Sequence, residues 1–567
     1  MAETLVSPGV LARENDSSFV SQQPVAVGAA IIGPTVKGPV EVPTVVTSYS
    51  DYSSIFGTTF DSGSDEYSYF TSIAAYNYFQ NGGESLLVAR VVSGSYTVAS
   101  ATGDQAPSSS ATSGSFILET LGKGEILNSS SSLDSLGSLE LGTSDNVRWE
   151  ISNPSTSSGT FDLLIRRGDD NNNNKIVLET FTGLSLDPKA DNYISKVVGD
   201  QVRAYNVAQN QVTVTGDYRN ASRYVRVSSV TNPTLNYFDN NGVAKTSLTP
   251  YIPVASSGSF KGAAGAINNV ANFYDNIAAQ SQGLVGENYT NMINLLANQD
   301  DYVFNVLLTP GLTNEDHTAQ CTSLINNTQT RGDSIFVLDL TGYDSTVTSV
   351  TSEAASRNSS YAASYWPWVQ VIDPDLGRQV WVPASTVIGG VYAYNDSVSE
   401  PWFAPAGINR GGLSQVVRAA QKLNSTNRDA LYTGKVNPIA SFPATGVVVY
   451  GQKTLQTRAS ALDRVNVRRL LIELKGYISQ IAQNLVFEQN TAATRNNFLA
   501  QVNPYLENVQ ARQGLYAFKV IMDDSNNTPD VIDRNQLVGQ IYIQPTRTAE
   551  FIYLDFNLQP TGATFPS

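Results

Sequence analysis

The sequence predicts an α/β and α+β multidomain protein: an αβ core split by a mainly β insertion, with extended, strand-forming arms at its N- and C-terminal ends. Three observations predict it. The chain has 567 residues, too many for one hydrophobic core and enough for three or four domains of ~150 residues. Serine makes up 19 of the 68 residues from 93 to 160, a break in composition between two better-patterned parts. Beyond about residue 300, short apolar runs alternate with helical spacing, as in βαβ units whose sheet is covered on both faces.

The elements follow in order. After Pro8-Gly9, the run Val10-Leu11-Ala12-Arg13-Glu14 suits an extended arm with no partner strand nearby. Residues 25–46 are small and β-branched, punctuated by Gly28, Gly33-Pro34, Gly38-Pro39 and Pro43 as short strands joined by turns are. Residues 49–60 read as a short helix or turn stopped at Phe56-Gly57, 71–79 as a helix and 86–92 as a strand. Within the insertion, 161–167 and 175–186 flank the polar stretch 168–174 as a hairpin, and 211–215 and 224–230 continue the β character.

Past a helical stretch at 263–279, strands at 302–308, 334–340 and 365–372 alternate with helices at 314–330 and 345–356. The turn Asp373-Pro374-Asp375-Leu376-Gly377 leads into a strand at 379–382. In 460–488, Val467, Leu470, Leu471, Leu474, Ile478, Ile481 and Leu485 form a helical stripe, with Ser460 and Asp463 as its capping-box start. Asn503 as cap, Pro504 in the first turn and Gly514 at the end frame a second helix. Strands at 538–544 and 549–558 close the chain, separated by Pro545-Thr546-Arg547. The expected division is 1–20 as N-terminal arm, 21–93 as the first part of the core, and 94–260 as the insertion. The rest of the core is expected at 261–450, a C-terminal domain at 451–548, and a terminal strand and arm at 549–567.

Thirty-five basic and 50 acidic residues give a net charge of −15, which disfavours direct nucleic-acid binding. The single cysteine, Cys321, allows no intramolecular disulfide and no Cys-rich zinc site. Only 15% of residues are charged, against a typical ~25%, which suits a surface held largely against neighbours. The first thirty residues carry Glu3, Arg13, Glu14 and Asp16 and no apolar core of a secretory leader, and no run approaches the ~18 apolar residues of a membrane span. A soluble protein made in a cytoplasm, without membrane insertion, is expected.

Chemistry is sparse. His317, the only histidine, and Cys321 form an i, i+4 pair that could offer two metal ligands, but no third ligand accompanies them, and neither a metal nor a cofactor is expected. No Gly-x-Ser-x-Gly elbow is present for acyl transfer, and no Walker A or Gly-x-Gly-x-x-Gly loop for phosphate. Asp300-Asp301, Glu315-Asp316 and Asp523-Asp524 read as helix-start or turn residues, since adjacent carboxylates diverge in a strand. The stretch Asp524-Ser525-Asn526-Asn527-Thr528 reads as a polar hairpin tip rather than a calcium loop. Arg331-Gly332-Asp333 has the form of an adhesion motif but fits a helix stop leading into a strand. One charge feature stands out: Lys453, Arg458, Arg464, Arg468, Arg469 and Lys475 against Asp463 and Glu473, locally +4. It is either a solvated helix face or a surface for an acidic partner.

Four stretches in order resemble contractile phage tail sheath proteins: Pro8-Gly9-Val10 with Val27-Gly28-Ala29-Ala30 and Phe56-Gly57; Pro401-Trp402-Phe403-Ala404-Pro405-Ala406-Gly407-Ile408-Asn409-Arg410-Gly411; Arg464-Val465-Asn466-Val467-Arg468-Arg469-Leu470; and Pro545-Thr546-Arg547-Thr548-Ala549-Glu550-Phe551-Ile552. They frame nearly the whole chain except the insertion. The resemblance implies a non-enzymatic subunit stacked as hexameric rings in a helical polymer around an inner tail tube, between baseplate and tail terminator proteins. It implies contraction that drives the tube through the host envelope, with a virion location and assembly in the host bacterial cytoplasm.

It further implies that the arms add strands to neighbouring subunits, which assigns Val10, Leu11, Ala12, Arg13, Glu14, Phe551, Ile552, Tyr553, Leu554 and Phe556 to strand exchange. The C-terminal domain would face the tube through Lys453, Arg458, Arg464, Arg468, Arg469 and Lys475, and the insertion would project outward. The sheath of a phage-derived injection particle or secretion system is the nearest alternative. An αβ hydrolase using Asp373, Asp375 or His317 is a distant one, and an exported surface-layer or adhesion protein a third.

Overall fold

The structure, a computed structural model, describes residues 27–62, 65–103, 114–129, 132–266, 282–443 and 445–553. Val10 to Glu14, Leu554, Phe556 and most of the helix expected at 263–279 lie outside these residues.

An eight-stranded sheet organises the core, in the order Thr44–Val46, Leu86–Arg90, Val27–Gly33, Phe304–Thr313, Ile335–Asp339, Ala362–Trp366, Asn437–Phe442, Gly446–Val449. Its inner strands are parallel, with Ala29 beside Leu86 and Val306, and Phe336 beside Leu307 and Ala362. The pleat explains their unbroken apolar runs. Ala29, Ile31, Val306, Leu308, Ile335 and Val337 point to one face, beneath helices Phe70–Gln80 and Ser385–Val398. Ala30, Ile32, Leu307, Phe336 and Leu338 point to the other, beneath Thr318–Arg331, Val347–Ala355 and Ser425–Thr433. Strands from before and after the insertion thus share one sheet.

Residues 99–263 carry a hydrophobic cluster of their own, centred on Phe116, Trp149, Phe161, Ile165 and Phe260. A four-stranded antiparallel sheet, a three-stranded one and a two-stranded one build this region. Its expected hairpin pairs Thr160–Arg167 with Val177–Ser185. Within the connecting stretch Asp170 is buried and binds Arg166 through two bonds of 2.7 and 2.8 Å, while Asn172, Asn173 and Asn174 stay exposed. Arg148 lies 3.4 Å away and Glu150 takes the other side of Arg166, so each buried charge has a partner.

The structure corrects four expectations. The strand expected at 365–372 is two: Ala362–Trp366 joins the central sheet, whereas Val369–Ile372 pairs with Gln379–Val382 and Val416–Ala419 in a separate antiparallel sheet. Pro367, which has no N–H to give a ladder, stands between them. Ser460 caps only the short turn Ala461–Asp463, and the long helix begins at Val465. Pro504 does not open a helix but sits inside Ala492–Ala511, capped by Thr491. Its ring and Ala500 both face solvent, so water can satisfy the Ala500 carbonyl, while Phe498, Val502, Leu506 and Val509 keep one buried stripe.

That helix packs antiparallel to Val465–Gln483 around Leu470, Leu474, Phe498 and Leu506. A two-stranded sheet, Leu515–Ile521 with Gln540–Pro545, lies beside them. The strand expected at 549–558 is absent over its described part, 549–553.

Candidate functional site

Most of the acidic and cationic residues singled out for chemistry are engaged in turns and ion pairs, whereas the His317 ring nitrogens are buried without a hydrogen-bond partner among the described residues. His317 precedes Thr318–Arg331 as its N-cap, with Cys321 one turn on, and both are buried. Burial pushes the Cys321 thiol up to about 12 and the His317 imidazole below its ordinary value. No group of three His, Cys, Asp or Glu side chains fit to hold a metal occurs among the described residues. Asp373 accepts the turn amides of Asp375 and Leu376, and Asp375 accepts the Tyr49 hydroxyl at 2.6 Å. Arg331 clasps Asp333 at 2.8 and 2.9 Å, binds the Leu296 and Tyr302 carbonyls and covers the Phe304 ring. Gly332, at φ 71°, ends the helix there. Asp523 accepts from Ser525 in a turn, and Asp524 pairs with Arg495 at 2.7 Å.

The cationic stretch does not form one solvated face. Arg468 and Arg469 are both 3% exposed. Arg468 stacks 3.9 Å over Tyr361 and donates to Ser360, and Arg469 pairs with Asp396 at 2.5 Å beside Tyr392. A helix with apolar side chains on two sides turns its neighbouring Arg stems inward as well, which their anionic and aromatic partners allow. Lys453 lies 3.8 Å over the Tyr432 ring and donates to that residue's carbonyl. Arg458 and Lys475 are exposed, and the Lys475 amine lies 3.2 Å from the Tyr361 hydroxyl.

Arg464 reveals the feature that sequence spacing could not. Its guanidinium grips both oxygens of Glu550, 86 positions later, at 2.7 and 2.9 Å. Tyr432 donates its hydroxyl to the same carboxylate, and Gln452 reaches Glu550 at 3.1 Å and Thr548 at 2.6 Å. Burial acting alone would raise the Glu550 pKa; the bonds from Arg464 and Tyr432 outweigh it and hold the carboxyl below its usual range. Phe551 sets its ring edge against Tyr432 at 6.3 Å. Residues 546–553 are thereby strapped across the core, with Phe551, Ile552 and Tyr553 68, 76 and 89% exposed. The strap closes one side of a cavity of about 810 Å³, whose other walls include Trp402, Phe403, Ala406 and Tyr450.

The sheet beside the helical hairpin is the second feature. Leu515–Ile521 and Gln540–Pro545 pair as strands only with each other among the described residues. The Tyr516 and Ile521 carbonyls of the first accept from the Gln510 and Asn526 side chains, each at 2.8 Å, so the Gln540–Pro545 edge is the more open one. Tyr516 and Tyr542 on these strands are 62 and 56% exposed. Leu515, Phe518, Val520 and Ile543 pack on the helical hairpin and support the two strands; a further strand would add ladder bonds and cover apolar surface.

Comparison with known proteins places these features. Residues 283–455 match the phage tail sheath protein central domain, and residues 457–559 match the phage tail sheath C-terminal domain. The tail sheath protein of Vibrio phage KVP40 is 41% identical over 225 residues, 40% of this chain and 34% of that protein. The tail sheath protein of Enterobacteria phage T4 is 41% identical over 191 residues, 34% of this chain and 29% of that protein. The matched region thus spans about a third of these relatives' length. A crystal structure of a sheath tail protein from Listeria innocua covers 92% of this chain and 95% of its own with a TM-score of 0.53 and 10% identity, a likeness of fold.

Proposed function

From a chain that carries the central and C-terminal domains of phage tail sheath proteins, we propose a structural subunit of a contractile tail sheath, polymerising in hexameric rings around an inner tail tube. Its work is mechanical: contraction drives the tube through the host envelope. The open two-stranded sheet of the C-terminal domain carries this proposal. Its Gln540–Pro545 edge is free to accept a strand, and an arm contributed by a neighbouring copy, Val10 to Glu14 from one end or residues beyond the strap from the other, is suited to fill it.

Each added ladder bond contributes a net ~0.5–1.5 kcal/mol, so an arm held by several bonds is a firm tether. Repetition makes the mesh hard to dissociate. Contacts that do not close on themselves generate a helical array, and subunits tethered by arms can rotate as rigid bodies. Arg458 and Lys475, exposed members of the cationic stretch, are the ones available to an acidic tube surface. Baseplate and terminator proteins are the partners at the two ends, and the virion tail is the site of action.

The test is deletion of residues 1–18. The truncated chain is expected to keep its monomer melting temperature and to form no tubes or rings by electron microscopy, with or without tube protein. Polymers of normal abundance from the truncated chain would refute the strand-exchange mechanism.

A further inference from the structure

The turn joining the two helices of the C-terminal domain exposes an apolar knob. Phe487 is fully exposed and Val486 is 60% exposed. Phe487 also holds a φ of 71°, in a left-handed region that aromatic residues rarely adopt. Glu488 beside it is exposed and charged.

The cavity beneath the strap has the complementary character. At about 810 Å³ it has room for a Phe and a Val side chain, and Trp402, Phe403, Ala406, Tyr450 and Phe551 give it apolar walls. Arg410, Arg428 and Arg547 line it against Asp429 and Glu550, and Glu550 is already neutralised by Arg464. A carboxylate arriving beside the knob therefore meets an excess of positive charge.

Knob and cavity of one chain cannot meet. Asn466, at the start of helix Val465–Gln483, lines the cavity, whereas Phe487 lies past its end. The seventeen helical residues from 467 to 483 separate them by ~26 Å at ~1.5 Å per residue. A head-to-tail contact between copies satisfies both surfaces, and such a contact does not close on itself.

We propose that Val486-Phe487-Glu488 of one copy docks in the strap cavity of a second copy, Phe487 against its aromatic wall and Glu488 against Arg547. This rests on the sheath assignment and names one of its contacts between subunits. The strap supplies Phe551 to the cavity wall, so the dock exists only while Glu550 is held by Arg464.

The experiment uses the full chain with Phe487→Cys and Ala406→Cys together, oxidised after assembly; native Cys321 is buried and stays silent. The expected result is a ladder of disulfide-linked multimers from the double variant and none from either single variant. In parallel, Phe487→Asp is expected to raise the protein concentration needed for polymerisation at least about tenfold with unchanged monomer melting, equivalent to ~1.4 kcal/mol per contact. Normal polymers without a ladder would overturn the dock and leave the sheath assignment standing. Crosslinking of Ala406→Cys to Phe556→Cys in its place would also overturn it, assigning the cavity to the chain's own C-terminal residues. Failure of the unmodified protein to polymerise under any condition, tube included, would overturn both.

Discussion

Glu550 decides where the last described residues lie. Three side chains from separate segments, Tyr432, Gln452 and Arg464, converge on its carboxylate. Glu550→Ala removes a charge-assisted clasp of the kind worth ~1.5–3 kcal/mol, so tryptic cleavage after Arg547 at pH 8 is expected to quicken about tenfold or more. Unchanged cleavage would mean that Phe551 and Thr548 hold the strap by themselves. The pH dependence has a definite sign. A carboxyl whose folded pKa lies below its unfolded value of ~4.3 contributes its full stabilisation above that value and loses it as pH falls through the folded one. The strap is expected to show constant hydrogen-exchange protection from pH 5 to 8 and to lose it only below about pH 4. None of these partners was legible in advance, because residues 86 or more positions apart leave no periodic trace; only the stretch Pro545 to Ile552, noted for its resemblance, pointed to the right segment.

At the scale of elements, periodicity read well where one face alone was buried and poorly where tertiary packing overruled a local signal. The stripe from Val467 to Ile481 located the long helix, yet Pro504, a reliable helix starter in isolation, is carried inside its partner helix by Phe498, Val502, Leu506 and Val509. Proline inside a helix costs ~3 kcal/mol relative to alanine, but its solvent-facing position here lowers that cost. Pro504→Ala restores an N–H to the Ala500 carbonyl and is expected to stabilise the C-terminal domain by ~1–2 kcal/mol, seen as a rise in its melting temperature. A fall would show that the proline ring makes packing contacts that alanine cannot replace. The strand expected at 365–372 failed for a related reason: its apolar run was real, but Pro367 let its halves enter different sheets.

At the scale of the molecule, the insertion is tied to the core by apolar and polar contacts: Tyr205 and Val212 pack against one core cluster, and Ile126 against Val36, Phe60 and Tyr69. Thr97 donates its N–H to the Ala264 carbonyl at 2.9 Å, so the two connecting strands of chain lie side by side. Lys37 pairs with Asp145 and Arg223 with Asp51 across the joint, and Arg90 reaches the Lys123 carbonyl at 2.8 Å. Most of the insertion's apolar side chains pack in a cluster of their own. Excision of 98–263 with Thr97 joined to Ala264 is expected to leave a folded core that still polymerises, checked by circular dichroism and electron microscopy. An unfolded product would show that the core needs the insertion's cover over Lys37 and Arg90. By itself the sequence determined what depends on neighbours along the chain: the alternating αβ order of the core, the β character of the insertion, the helical stripe and the sheath resemblance. Long-range packing settled which charges are buried, that Arg464 holds Glu550, that the Gln540–Pro545 edge of the C-terminal sheet stays open, and that Phe487 stands uncovered. Those outcomes turn on contacts between residues tens to hundreds of positions apart, where burial and partner geometry, not local pattern, set the free energy.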